Sequence, residues 1–102
     1  MKTLDQYTAG FLKALKNGEV LPTTARMDID GVGSIHIDGR SVSNATVPAN
    51  CIMRTTHEIY DGLFDGSGEP ALAFAKGDLE VNGDMAVALA MPQLFKRANE
   101  AA

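Results

Sequence analysis

The spacing of apolar positions changes period several times along the chain, and each change predicts a new element. Leu4, Tyr7, Phe11 and Leu15 recur at helical spacing, which predicts a first helix with one buried face. Thr3 followed by Gln6 reads as a capping box that opens this helix, and Gly18 can end it. Residues 18–24, with Pro22, form a connection. Alternation then takes over. Ala25, Met27 and Ile29 interleave with Arg26 and Asp28, and Ile35 and Ile37 with Ser34, His36 and Asp38. Asp30-Gly31 and Asp38-Gly39 mark turns. An apolar segment from Val42 to Val47 leads to Pro48, and over residues 51–55 Cys51 and Met53 oppose Ile52 and Arg54 as a further short strand.

The period lengthens again at Thr55. Thr55 with Glu58 reads as a second capping box, and Ile59, Leu63 and Phe64 predict a short helix that Gly66 can close. Glu69-Pro70 opens a further helical turn with proline at its first position, running through Leu72 and Phe74 to Gly77. Leu79 and Val81, alternating with Asp78, Glu80 and Asn82, predict a last strand. The order is helix, strands, short helices, strand, helix, an α+β domain spanning residues 1–102.

The stretch GDMAVALAMPQLF, residues 83–95, fits two templates. Strict alternation of Met85, Val87, Leu89 and Met91 with Ala86, Ala88 and Ala90 suits a strand. Alanine is the best helix former and a poor strand former, so a helix with Asp84 as N-cap is predicted. At roughly 100° per residue, Met85 and Leu89 share one side, and Val87 and Met91 lie almost opposite. Such a helix has two apolar faces, one for its own core and one that needs a second apolar partner. Pro92 is expected to interrupt it, leaving a short continuation around Leu94 and Phe95.

Composition narrows the function classes. A chain of 102 residues supports one modest core. Its formal net charge is −4, and its nine Lys and Arg are scattered without a patch of stacking aromatics, so nucleic-acid binding is not expected. Cys51 is the single cysteine and permits no intrachain disulfide. The N-terminal residues meet polar positions too soon for a signal peptide, and no apolar run reaches membrane-spanning length. A reducing cytoplasm is the expected compartment. Asn44-Ala45-Thr46 is accordingly read as a chance glycosylation triplet.

Catalytic chemistry is hard to build here. His36 falls on the polar side of a strand beside Asp38 and is expected to be a solvated surface histidine, with a role as base or ligand the lesser reading. His57 at a helix start is expected to be exposed. Two histidines and one cysteine show no zinc spacing. Asp28-x-Asp30 fails as a calcium loop because Val32 stands where an oxygen ligand belongs and Gly39 where a bidentate glutamate is required. Gly31-x-Gly33 lacks its third glycine because His36 stands there, so no dinucleotide loop is supported. Cys51 reads as a small core residue. Asp78 and Glu80 alternate with apolar neighbours and are expected to face water. No catalytic residue, metal or cofactor is predicted.

From Thr46 to Phe95 the order of residues resembles the sterol carrier protein 2 (SCP-2) family of small lipid-binding domains. Ala49-Asn50-Cys51-Ile52 stands for the family's Ala-Asp-Cys strand, with Asn50 in place of the acid. Gly66 lies four residues before Pro70, and Ala73-Phe74, Gly77, Leu79 and Gly83-Asp84 follow at matching intervals. Each also has a local physical role: Pro70 starts a helix, Phe74 is expected to plug the core, Gly77 ends the helix, and Gly83-Asp84 turns and caps.

The resemblance implies a mostly antiparallel sheet of about five strands covered by helices, enclosing an apolar tunnel for fatty acyl groups, sterols or other lipids, and no catalytic residue. Leu63, Phe64, Phe74, Met85, Leu89, Met91, Leu94 and Phe95 are the candidate tunnel walls, with both faces of the last helix included. Residues 18–33 are short for the family's first hairpin, which predicts one reduced strand and a more open tunnel. The end of the sequence lacks a Ser-Lys-Leu type address, in keeping with a cytoplasmic protein.

An empty apolar pocket of about 300 Å³ would cost about 7 kcal/mol at roughly 24 cal/mol per Å³, against a domain stability of about 5–15 kcal/mol. A ligand, a partner or partial collapse is therefore expected at the site. The leading reading is a non-enzymatic lipid carrier, monomeric or weakly dimeric, for a fatty acid, acyl-CoA or sterol-like ligand, with transient contact to a membrane or enzyme. The alternative is a protein-interaction or accessory module for lipid or quinone synthesis that uses the apolar C-terminal helix. A small enzyme using His36 and Asp38 is the third.

Overall fold

The Thr3–Gln6 capping box forms as the sequence predicts, and the computed structural model, which describes residues 1–102, begins its first helix there. Helix α1 (Leu4–Lys16) buries Tyr7, Phe11 and Leu15 along one stripe. Strands β1 (Ala25–Asp30) and β2 (Gly33–Asp38) form an antiparallel hairpin with Ala25 opposite Ile37 and Ile29 opposite Gly33. The hairpin keeps two full strands. The reduced strand is instead β3 (Ser41–Ser43), which pairs with β2 at the far edge.

After β3 the chain crosses the sheet and inserts β4 (Cys51–Thr56) beside β1 in parallel, and β5 (Leu79–Gly83) closes the other edge against β4. The order β3-β2-β1-β4-β5 thus holds one parallel pair within an otherwise antiparallel sheet. The five-stranded, mostly antiparallel α+β architecture expected from the sequence is the one observed.

Alternation separates the two faces of the sheet. Ala25, Met27, Ile29, Ile35, Ile37, Cys51 and Met53 are buried on one side. The other side carries polar groups: Asp28 accepts hydrogen bonds from Arg26 Nε at 2.9 Å and Ser34 Oγ at 2.8 Å, and Arg54 pairs with Asp30 at 2.9 Å. Burial alone would raise the Asp28 carboxyl, but the hydrogen bonds from Arg26 and Ser34 hold it below the ordinary carboxylate value.

His36 lies on this polar side and corrects the sequence expectation, being only 8% exposed. The crossing segment covers it, and its Nε2–H donates to the Pro48 carbonyl at 3.2 Å. Alternation assigns a sheet face but not what lies over it.

Helix α2 (His57–Asp65) starts one residue later than predicted. Its N-cap is Thr56, whose hydroxyl accepts from the Ile59 amide at 3.3 Å. Thr55 stays in β4, buried, and donates to the Asp78 carbonyl at 2.7 Å. His57 is half-buried rather than exposed, donating from Nε2 to the Lys2 carbonyl at 2.9 Å. Helix α3 (Pro70–Ala75) begins on its proline, as expected.

Helix α4 (Met85–Ala101) corrects the prediction at Pro92, because it continues through the proline to Ala101. Packing overrides the local break. Val87, Met91, Leu94, Phe95 and Ala98 are all buried on α4, and Gly10 of α1 lies so close that a Cβ there would stand 2.6 Å from the Ala98 carbonyl. Glycine at position 10 is what lets the two helix backbones meet. Tertiary contact on both sides of Pro92 outweighs the lost helical hydrogen bond.

Candidate functional site: an apolar groove between α3, β5 and α4

Three elements bring apolar side chains together at the β5 edge. Register places Met53 opposite Val81 and Thr55 opposite Leu79, so Met53, Leu79 and Val81 share the helix-facing side of the sheet. At the end of β5, Gly83 has φ 112°, and any side chain there would collide with the Asn50 carbonyl. That same carbonyl accepts from the Asp84 amide at 2.7 Å, while the Asp84 carboxylate accepts from the Ala86 amide at 2.8 Å. The Gly83-Asp84 pair therefore turns the chain tightly off the sheet and starts α4 beside it.

From this start Met85, Ala88, Leu89 and Pro92 fall on one helical stripe, at intervals of three and four. Pro70, Ala71 and Phe74 form the same kind of stripe on α3, whose only buried residue is Ala73. Between these stripes and the sheet lies an open groove of about 270 Å³, completed by Met91 and Phe95 at its inner side. None of its twelve lining side chains is polar or charged.

Of the eight residues predicted as tunnel walls, the structure brings together Phe74, Met85, Leu89, Met91 and Phe95 in this groove. The helix faces are now distinct. Val87 and Met91 are buried, whereas Met85 is 49% and Leu89 79% exposed. Phe74 is 50% exposed, which corrects its expected role as a core plug: the α3 backbone turns Ala73 inward and leaves Phe74 on the rim.

Leu63, Phe64 and Leu94 do not line the groove. Leu63 borders a void of about 10 Å³ that shares Met53, Leu79 and Phe95 with the groove. Phe64 belongs to an aromatic cluster, with its ring centroid 4.9 Å from that of Tyr7, and Leu94 is buried in the core.

The sequence reading missed Met53, Pro70, Ala71, Leu79, Val81, Ala88 and Pro92. Strand alternation already set Met53, Leu79 and Val81 on inward positions, but not which strands are neighbours. Ala88 and Pro92 were legible as the continuation of the Met85–Leu89 stripe.

The titratable groups near this region stay out of the groove. Cys51 is fully buried, and its thiol is pushed up by burial and by the Asp84 charge, with the Ala88 backbone opposing. It is held as a neutral core thiol. No group of three or more His, Cys, Asp or Glu is placed to hold a metal ion. No helix is long and apolar enough to cross a membrane.

Comparison with known proteins gives one family. A profile of the SCP-2 sterol transfer family matches residues 4–96. No curated relative matches by sequence. Among solved structures the fold is similar to that of sterol carrier protein 2 from Aedes aegypti in complex with palmitate, at TM-score 0.77 and 16% identity, covering 91% of this chain and 94% of that one. It is also similar to sterol carrier protein domain 2 of Helicoverpa armigera, at TM-score 0.72 and 18% identity, covering 95% and 88%. A UbiJ-SCP2 ubiquinone synthesis protein matches at TM-score 0.61 and 19% identity, covering 93% and 88%.

Proposed function

We propose that this chain, which belongs to the SCP-2 sterol transfer family, is a non-enzymatic carrier that takes the apolar part of a lipid into the groove between α3, β5 and α4. The observation that carries this reading is a concave wall of about 270 Å³ without one polar side chain, flanked by a helix stripe that nothing else in the chain covers. Water against such a surface is displaced favourably by hydrocarbon, at about 25 cal/mol per Å² buried or about 0.8 kcal/mol per methylene. Met53, Met85 and Met91 supply side chains that adapt to ligands of different shape.

The mechanism needs no bond-making step. A chain leaves a membrane or enzyme, exchanges hydration for contact with Phe74, Met85 and Leu89 at the rim, and settles against Met91 and Phe95 at the inner side. Release reverses these steps when a more apolar environment meets the rim. The site of action is taken to be the cytoplasm.

Leu89→Asp tests this directly. Leu89 is exposed, so the fold should tolerate the change within about 0.5 kcal/mol. Binding of a fluorescent fatty-acyl probe should weaken by roughly tenfold or more, since an unpaired carboxylate would face the hydrocarbon. His36→Ala, on the other face of the sheet, should leave probe affinity unchanged. Equal affinity in both folded variants would remove the groove as the binding site.

A second reading has its own observation. Phe74, Met85 and Leu89 all expose apolar surface in the groove, and one structural relative carries a ubiquinone synthesis name. In this reading the rim is an accessory docking face for a partner in lipid or quinone synthesis. A rise in solution mass with concentration that Leu89→Asp abolishes, without lipid retention, would favour it.

A further inference from the structure

Strand β5 is an edge of the sheet, and its outer side has no strand beside it. Two backbone bonds fix which residues face that side. The Asp84 amide donates to the Asn50 carbonyl at 2.7 Å, so the same register bonds Asn82 to Ile52 and Glu80 to Arg54. The Cys51 amide instead donates away from β5, to the Thr24 carbonyl. Alternation therefore turns the N–H and C=O groups of Leu79 and Val81 outward, with Gly83 at the end of the strand. No turn or loop of the chain supplies these groups with a backbone partner.

An open edge of this kind is a template for another strand, and proteins commonly blunt it with proline, lysine, a bulge or shortness. The opposite edge is blunted: β3 has only three residues and packs against α1. β5 has five residues, no proline and no lysine, and Glu80 is its single charge.

The side chains along β5 say what fits it. Outward residues pair with outward residues, so two copies of the strand have three antiparallel registers that make more than one such pairing. Centring on residue 80 sets Glu80 directly against its own copy. Centring on residue 82 sets Glu80 against Asp84. Both oppose like charges, which is destabilising. Centring on Val81 sets Glu80 against Asn82 on both sides of the axis, lets the two Val81 residues exchange a pair of hydrogen bonds, and sets Leu79 against Gly83. The exposed Phe74, Met85 and Leu89 lie on the same side of the sheet as Leu79 and Val81.

We propose that β5 is a self-association edge: two copies of this chain pair their β5 strands antiparallel about a two-fold axis at Val81, which joins the sheets and sets the two grooves side by side. The inference does not depend on what the groove binds. The contact is small, so association is weak and falls between about 10 μM and 1 mM chain.

Sedimentation velocity across that range tests it, on the wild type, Asn82→Glu, Asn82→Lys and Ser41→Glu. Asn82 is exposed on the sheet face away from the groove, so its variants keep the fold and separate the edge from the helix rim. The wild-type mass should double with concentration. Asn82→Glu sets a like-charge pair on each side of the axis and should weaken dimerisation roughly tenfold, whereas Asn82→Lys sets opposite charges there and should tighten it roughly threefold. Ser41→Glu adds the same charge as Asn82→Glu at the far edge and should match the wild type. The Val81 amide, open to water in the monomer, should exchange its hydrogen at least about tenfold more slowly in the dimer. A wild type that stays monomeric to about 1 mM would overturn the proposal. A dimer with equal affinity in the two Asn82 variants, or with an unprotected Val81 amide, would overturn it equally.

Discussion

Phe95 touches two regions of the molecule that differ in kind. On one side it joins Tyr7, Phe11, Tyr60 and Phe64, a cluster in which ring centroids lie 4.8 to 6.5 Å apart, mostly edge to face. These rings are fully or almost fully buried, and three helices hold them. On its other side Phe95 borders the groove, where Met, Leu, Val and Pro line an open space and the rim residues stay exposed. Aromatic pairs fix geometry, because the ring quadrupole rewards particular angles. Methionine and aliphatic chains fix little beyond apolarity. The rigid side can therefore hold the fold while the soft side remains free to accept something else.

The largest test of that contrast pairs two phenylalanines. Phe64→Ala should cost about 3–5 kcal/mol in urea unfolding, as for a fully enclosed ring. Phe74→Ala should cost less than about 1 kcal/mol but weaken acyl-probe binding, because half of Phe74 already faces solvent. Similar stability losses for the two would break the comparison.

A smaller effect is expected at the helix crossing that supports the aromatic side. Gly10→Ala places a methyl against the Ala98 carbonyl and should cost about 1–3 kcal/mol by forcing α1 and α4 apart. The melting temperature should drop, and probe affinity of the folded fraction should change little.

The smallest expected effect is electrostatic. The Tyr7 hydroxyl and the Lys2 amide both donate to Asp61, tying the start of the chain to α2. Burial alone would raise the Asp61 carboxyl, but these hydrogen bonds and the nearby N-terminal charge hold it below its ordinary value. Burial and Asp61 push the Tyr7 hydroxyl far above its own. A carboxyl lowered on folding contributes stability that is full above its unfolded value, about 3.9, and is lost as pH falls through the folded value. Wild-type stability should therefore decline on acidification through about pH 4 and below. Asp61→Asn should be less stable by about 1 kcal/mol at pH 7 and show a shallower acid slope, while probe affinity at pH 7 stays unchanged.

Legibility followed the same division. The elements over residues 4–15 and 25–37 read correctly because caps and periodicity act within a few neighbours: Thr3 with Gln6, and the alternation of Met27, Ile29, Ile35 and Ile37. Thr55 was misread because Thr55 and Thr56 offer the same chemistry one residue apart, and only the Asp78 carbonyl chose between them. His36 was misread because its cover arrives from residues 47 and 48, outside its own strand. Five of the eight candidate wall residues meet at the groove. The other three, Leu63, Phe64 and Leu94, share their helices' apolar character but point elsewhere, and composition cannot separate those directions.

By itself the sequence determined the kinds of element, their order and the presence of more apolar helix surface than one core could use. Those properties depend on short-range sterics, capping and periodicity. Only the tertiary structure decided that β4 lies between β1 and β5, that Val87 and Met91 face the core while Met85 and Leu89 face the groove, and that α4 runs unbroken through Pro92. Each of these is set by contacts between residues far apart in the chain, whose energy outweighs any local preference.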